Sequence, residues 1–376
     1  MKTLPPVRIN REKYYQLREL TQSVLAGCRH VADDGTPIYY PDGSGHYPAL
    51  WTRDFCYMVE GAGVLMPAQE ILAGIDFLLA GQREDGFIPD RVQADGTPIY
   101  LPGPADKPIG TQPPIDNQFL IVKLICAYAR LTRDYTSAVK RLDRVWSAVD
   151  AVPVEPDGLV FVDRNNPSVD YGFADTVAKT GKVLWGSLLH WEACEMMAQT
   201  YKGWEHHDDA RVWFERSLQA HQRLAEFWDD SVGMYRSAQQ DCRQIDVWGS
   251  AYGAVIRVAS KSQTERMGHW LVRSWDNIVL KGYVRHLLKG EYWKRLLVEV
   301  PEDTYQNGGY WAVPTGWVAQ TMAIVNESAA IKLAETLVDS FLQDGACEWI
   351  NEQQCAVPGY AASVACLLGS LQGRKK

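Results

Sequence analysis

Helix-length segments and long aromatic loops alternate along this chain of 376 residues, and that alternation limits its fold more than any other feature. Twelve segments carry the apolar spacing of helices: 11–27, 54–65, 67–81, 116–131, 134–149, 182–200, 206–228, 244–258, 261–276, 315–326, 328–343 and 359–371. In the seventh, Phe214, Leu218, His221, Ala225 and Trp228 recur at intervals of four, three, four and three and share one face. Long loops intervene at 29–53, 82–115, 151–181, 229–243, 277–314 and 344–358 and hold most of the Pro and Gly. Loops longer than about 15 residues with no helix of their own are usually functional or disordered. These are rich in Trp, Tyr, Asp and Gly rather than Ser, Lys and Glu, which predicts ordered loops gathered at one end of a helical scaffold. Short β-hairpins are expected within them, for example at 38–40 and 283–288.

The helical segments are of two kinds. Ser250, Ala251, Gly253 and Ala254 in one, and Ala361, Ala362, Ser363 and Ala365 in another, suit a crowded inner layer. Segments 11–27 and 206–228 carry Arg, Glu and Gln on one face and suit an outer layer. Six such pairs predict an all-α fold, six α-hairpins closed into a double ring, that is an (α/α)6 barrel with long loops and short β-hairpins at one end. No linker divides the chain, so residues 1–376 are expected to form a single barrel domain. An α-solenoid would need short, regular loops, which are missing.

Composition removes several function classes. Hydrophobic residues at 46% and charged residues at 22% mark a globular chain rather than a disordered one. A net charge of −8 without a basic block argues against a nucleic-acid partner. The apolar run at 119–129 is broken by Lys123 and is too short to span a bilayer, so no membrane partner is expected. The N-terminus lacks the apolar core of a signal peptide, and a cytoplasmic location is expected. The eight cysteines form no CxxC and accompany no paired histidines; they are expected to be reduced, small, buried side chains, with no metal. No GxGxxG, Walker loop or GxSxG is present, and no cofactor is expected.

The aromatic residues say more. The chain has 14 Trp and 18 Tyr but only 9 Phe, and Trp and Tyr pair a flat apolar face with a polar handle. Sugars present flat C–H faces ringed by hydroxyls. Most of these rings fill a core, but Trp51, Trp311 and Trp349 lie in loops. Beside Trp51, Arg53 and Asp54 either cap a helix or hold neighbouring sugar hydroxyls, the guanidinium as a forked donor and the carboxylate as acceptor. At 110–118, Pro113 and Pro114 fix an extended helix entry, with Gln112, Asp116 and Asn117 as polar groups around it. At 168–181, Asp170 and Asp175 stand among Tyr171 and Phe173, where desolvation raises a carboxyl pKa as a general acid requires. A helix cap or an ion pair with Lys179 is the plainer role. At 307–311, Asn307, two glycines, Tyr310 and Trp311 let backbone approach a ligand closely, and Trp317 follows. Glu348, amid Ala, Cys, Trp and Ile, is the right kind of group for a general base, or else for a pair with an Arg.

Taken in order, these loops resemble the six-hairpin glycosidases, particularly the trehalase and GH63 α-glucosidase clan, with a glucoamylase-like WTRD at 51–54. TQPP at 111–114, YGFAD at 171–175 with Lys179 four later, NGGYW at 307–311 with Trp317, and Glu348 before Tyr360 resemble that clan's motifs across about 45–365. The resemblance implies an inverting, exo-acting hydrolase of a small α-linked glycoside. Asp175 would protonate the glycosidic oxygen and Glu348 would activate water on the opposite face, the carboxyls roughly 6.5–9.5 Å apart. Arg53 and Asp54 would hold the terminal sugar, and Trp51, Trp311 and Trp349 would wall the pocket. Gln112, Asp116, Asn117, Asp170, Lys179, Asn307, Tyr310 and Trp317 complete the expected binding set. Ala174 is an extra residue, Lys179 stands where the clan has Arg, and the clan's Gly-rich loop is absent, so Asp170 remains a rival acid. Two other functions stay open. A sugar epimerase of the N-acylglucosamine 2-epimerase type would bring two of His46, His190, His221 and His286 into the cavity. A non-catalytic carbohydrate binder would lack one carboxylate there.

Overall fold

The computed structural model describes residues 3–373. Thirteen α-helices form among them. Six are amphipathic: α1 (Arg11–Cys28), α3 (Ala68–Ala80), α5 (Tyr135–Asp150), α7 (His207–Leu224), α9 (Lys261–Arg273) and α12 (Glu327–Asp344). Six are buried around nearly their whole circumference: α2 (Thr52–Ala62), α4 (Asp116–Thr132), α6 (Leu184–Gly203), α8 (Val247–Val255), α11 (Thr315–Ala323) and α13 (Ala361–Gly369). The single turn α10 (Trp275–Ile278) follows α9. A helix apolar all round has no solvent face to offer, so the second kind must sit inside the first.

The inner helices close on themselves. Helix α2 packs on α4, α4 on α6, α6 on α8, α8 on α11, α11 on α13, and α13 back on α2. The last contact needs Gly61, because a Cβ there would run into the Ala365 carbonyl of α13. A parallel pairing of Val7–Ile9 with Leu371–Gly373 joins the first and last strands between α12 and α1. This is the expected (α/α)6 double ring.

Short strands organise the loops. Five pair antiparallel in the order Val279–Leu280, Tyr283–Arg285, Tyr310–Trp311, Cys347–Ile350 and Cys355–Pro358. Three more, Leu50–Trp51, Arg91–Val92 and Pro98–Ile99, pair beside α2. The expected hairpins appear at Pro37–Tyr39, paired with Arg29–Val31, and at Tyr283–Arg285.

Two expectations are corrected. In α7 the buried stripe is Ala210, Trp213, Ser217, Ala220 and Leu224, while Phe214 and Leu218 are 47% and 44% exposed. Helix α7 packs along α6 through this stripe, Trp213 and Leu224 alternating with Ala210, Ser217 and Ala220, and Phe214 and Leu218 fall on the opposite side. Nor are all the cysteines free. Cys347 and Cys355 form a disulfide across the last hairpin, with Cα atoms 5.7 Å apart, and the other six are buried thiols. Antiparallel strands bring these two within bonding reach, which their spacing along the chain does not reveal.

Candidate active site

A cavity of about 340 Å³ opens where the loops preceding α2, α4, α6, α11 and α13 converge. Its base holds Arg53, Asp54, Phe173, Asp175, Trp311, Glu348 and Tyr360, all buried. Its mouth holds His46, Gly103, Pro104 and Ile109, which are exposed or half-exposed.

Asp175 is presented by a loop with an unusual backbone. Tyr171, Gly172 and Phe173 all have positive φ, at 70°, 61° and 54°. Gly172 has no alternative residue, since a Cβ there would sit 2.9 Å from the Trp185 ring. For the two non-glycines this conformation costs roughly 1–3 kcal/mol each, strain of a kind that gathers at functional sites. The turn lays Tyr171 against the Arg53 guanidinium and sends Phe173 to the cavity floor. Lys179, 3.1 Å from Asp170, clamps the two ends of the loop together.

Gln306 fixes the Asp175 carboxyl. Its Oε1 accepts from the Thr176 N–H at 2.8 Å and from the Thr176 hydroxyl at 2.7 Å, so its amide N–H must face Asp175 Oδ1, to which it donates. Burial pushes the Asp175 pKa up, against Gln306 and Arg53, which pull it down. Across the cavity the Tyr47 hydroxyl lies 3.1 and 3.0 Å from the two oxygens of Glu348. Burial holds Glu348 well above the ordinary carboxylate range; Tyr47 opposes this, and the charges of Asp54 and Asp175 add to it. Three buried carboxyls around one cavity cannot all ionise freely, and their titration belongs to the set.

Asp54 lies inside α2 rather than at its cap, and the Tyr360 hydroxyl donates to it. Burial raises its pKa to about 6, with Arg53 pulling the other way. A carboxyl raised from 3.8 to about 6 contributes stability that is full below pH ~4 and lost as pH rises through 6. Asp54→Asn is therefore expected to gain on wild type by on the order of 2–3 kcal/mol as pH rises from about 4 to 7. Parallel urea titrations across that range check it, and a constant difference between the two proteins would refute it.

The sequence-predicted residues divide into two sets. Trp51, Arg53, Asp54, Asp175, Trp311 and Glu348 line the cavity. Asp116 and Asn117 do not; they hold Arg53, with Asp116 at 2.7 and 3.2 Å and Asn117 at 3.4 Å. Asp170 and Lys179 pair with each other, and neither is in the cavity lining. Asn307 is turned away, accepting from the Trp293 N–H and donating to the Val300 carbonyl. Gln112 is half-buried outside the lining. Tyr310 packs under Arg285, and Trp349 pairs with Trp311 across the sheet, behind the wall. Trp317 belongs to the aromatic floor, 6.1 Å from Tyr57 and 5.6 Å from Trp185, and faces a second cavity below. Of the four histidines weighed, only His46 lines the cavity; His190 binds the Gly158 carbonyl, His286 binds Asp246, and His221 packs near Trp191.

Solved structures share this architecture. A rhamnosidase from Klebsiella oxytoca with rhamnose bound superposes with TM-score 0.70 at 13% identity, covering 97% of this chain and 65% of that one. A GH63 mannosylglycerate hydrolase from Thermus thermophilus, in complex with Tris and D-glycerate, matches with TM-score 0.65 at 15% identity over 94% and 99% of the two chains. A glucoamylase from Saccharomycopsis fibuligera matches with TM-score 0.60 at 12% identity over 98% and 97%. The chain has the six-hairpin glycosidase fold. No family model and no curated protein matches its sequence. It spans about 65% of the rhamnosidase's length and nearly all of the other two.

Several lining residues of this six-hairpin fold escape sequence reasoning. Tyr47, Tyr305, Gln306 and Tyr360 belong to motifs the sequence displays, but nothing in a linear pattern says that their side chains turn inward. Pro104 and Ile109 carry no chemical signal at all. No helix among the described residues is long and apolar enough to cross a membrane.

Proposed function

We propose that this protein is an inverting, exo-acting glycoside hydrolase of a small α-linked glycoside, with Asp175 as general acid and Glu348 as general base. The observation that carries this is the pairing of two buried carboxyls, on different loops, in one aromatic cavity. Glycoside hydrolysis needs one protonated and one ionised carboxyl, and like charges sharing one buried site push their protonation states apart. The resemblance in the order of loop motifs supports Asp175 as the acid and Glu348 as the base. Asp175 delivers its proton to the departing oxygen while Glu348 takes one from the attacking water. Arg53, held by Asp116, shapes the sugar site, and ionised Asp54 accepts from a sugar hydroxyl. About 340 Å³ is at the lower end of the roughly 300–1,000 Å³ common for ligand sites, which favours a short substrate entering end-on. Of the structures that share the fold, the rhamnosidase holds rhamnose and the GH63 mannosylglycerate hydrolase holds Tris and D-glycerate.

The test is ¹H NMR of wild type with a panel of α- and β-linked disaccharides, aryl glycosides and glycosyl glycerates. Hydrolysis of one α-linked member with initial release of the β-sugar is expected. Release of the α-sugar would refute inversion, and change of configuration of a free sugar would favour an epimerase. A second expectation concerns Gln306→Leu. Without the amide donor the Asp175 pKa rises further, so the alkaline limb of kcat/KM moves to higher pH; an unmoved limb would separate Asp175 from that titration.

A further inference from the structure

The charges around the cavity are unevenly placed. Asp54, Asp175 and Glu348 face it, and Arg53 is the single Lys or Arg in its lining. Arg53 is already committed to Asp116 at 2.7 Å and to Asp90 at 3.5 Å. The next basic group, Arg91, is 6% exposed and equally committed. It reaches Asp90 at 3.1 Å and the carbonyls of Leu101 and Gly103 at 3.3 and 2.7 Å, and stacks 4.4 Å from the Trp51 ring. Through those carbonyls Arg91 fixes the loop that brings Pro104 and Ile109 to the mouth. The Ile109 N–H also closes back onto the Pro102 carbonyl at 2.8 Å. Lys107, on the same loop, is exposed and outside the lining, with Asp106 beside it. The deep end of the cavity therefore offers hydrogen-bonding groups for a sugar ring. The mouth offers an aliphatic wall, an indole and one imidazole.

Resting on the hydrolase reading above, we infer that the leaving-group side of this cavity takes an uncharged, apolar aglycone, aryl or alkyl, and turns away one that bears a carboxylate. A carboxylate held there would face like charges with no cation released from its own partner, whereas an apolar group loses water against Pro104, Ile109 and Trp51. The fold relative that holds D-glycerate would differ from this chain in that respect.

Saturation-transfer NMR with benzyl alcohol and with D-glycerate tests this without turnover. It is run at about pH 8, where imidazoles are ordinarily uncharged. Wild type is expected to give transfer to benzyl alcohol and none to D-glycerate. Ile109→Arg is expected to reverse both, with at least about a fivefold loss of benzyl alcohol transfer. Pro104→Lys, at an exposed position, repeats the D-glycerate gain if Ile109→Arg does not fold. Transfer from wild type to D-glycerate that disappears in Lys107→Ala or His46→Ala would overturn the inference. So would benzyl alcohol transfer indifferent to Ile109→Arg. Wild-type hydrolysis of glycosyl fluorides, whose leaving group needs no such wall, reports on catalysis alone. Its absence would remove the hydrolase reading while the two probes still decide the chemistry of the mouth.

Discussion

Glu348→Gln is expected to lower kcat on an unactivated glycoside by about 10²–10⁴-fold, the range typical of a positioned acid or base, and Asp175→Asn to do the same. Binding should survive in both, because each substitution keeps the shape of the side chain and leaves Trp51, Arg53 and Trp311 in place. The leaving group separates the two roles. Fluoride departs without a proton, so Asp175→Asn should retain most of its activity on a glycosyl fluoride. Glu348→Gln should not, since water still has to be activated. Burial raises the pKa of both carboxyls, so the leaving-group comparison decides the division. Asp175 has a fixed amide donor on Oδ1, and Glu348 is oriented by the hydroxyl of Tyr47. If Glu348→Gln spares the fluoride and Asp175→Asn loses it, the roles are exchanged. If neither variant loses tenfold on any substrate that wild type cleaves, these carboxyls are not the catalytic pair.

The ring of helices was legible because it is written in repeated local choices. Small uncharged residues such as Ala361, Ala362 and Ser363 recur where a helix must be covered on every side. Amphipathic spacing recurs where one side meets water. Errors arose where two stripes competed, as in α7, where the stripe of Trp213 and Leu224 is buried and that of Phe214 and Leu218 is exposed. The carboxylates Asp175 and Glu348 were legible as charges in apolar loops, a costly arrangement without a reason behind it. Direction was not legible. Asp116, Asn117 and Asn307 have the polar chemistry of ligands, yet they spend it on Arg53, Asp90 and backbone. Conversely, Tyr47 meets Glu348 across 301 residues and Tyr360 meets Asp54 across 306, contacts that exist only once the ring has closed.

Lys123→Met is expected to destabilise the protein by about 3–5 kcal/mol, the usual consequence of stranding a buried charge. Lys123 interrupts an apolar run in α4, and in the folded chain it is 1% exposed near the middle of the inner ring. Its ammonium lies 2.8 Å from Glu192 and 3.1 Å from Glu60, and it donates to the Tyr252 hydroxyl, which in turn donates to Glu192. Burial works against the charge, but Glu192 and Glu60 outweigh it and keep the group protonated. These residues line a cavity of about 200 Å³ on the far side of the floor formed by Tyr57 and Trp317. Tyr57 lies 5.5 Å from Phe173, so the floor joins this charged cluster to the underside of the candidate cavity. Methionine fills most of the space that lysine leaves, so the loss comes from Glu192, itself 3% exposed, deprived of its counter-charge. Glu192→Gln added to Lys123→Met removes that charge as well and should restore most of the stability, since an ion pair replaced as a unit is nearly neutral. Urea denaturation followed by Trp fluorescence reads both variants. A single-variant loss below about 1 kcal/mol, or a double variant no better than the single, would show that the cluster holds its charge by some means other than pairing.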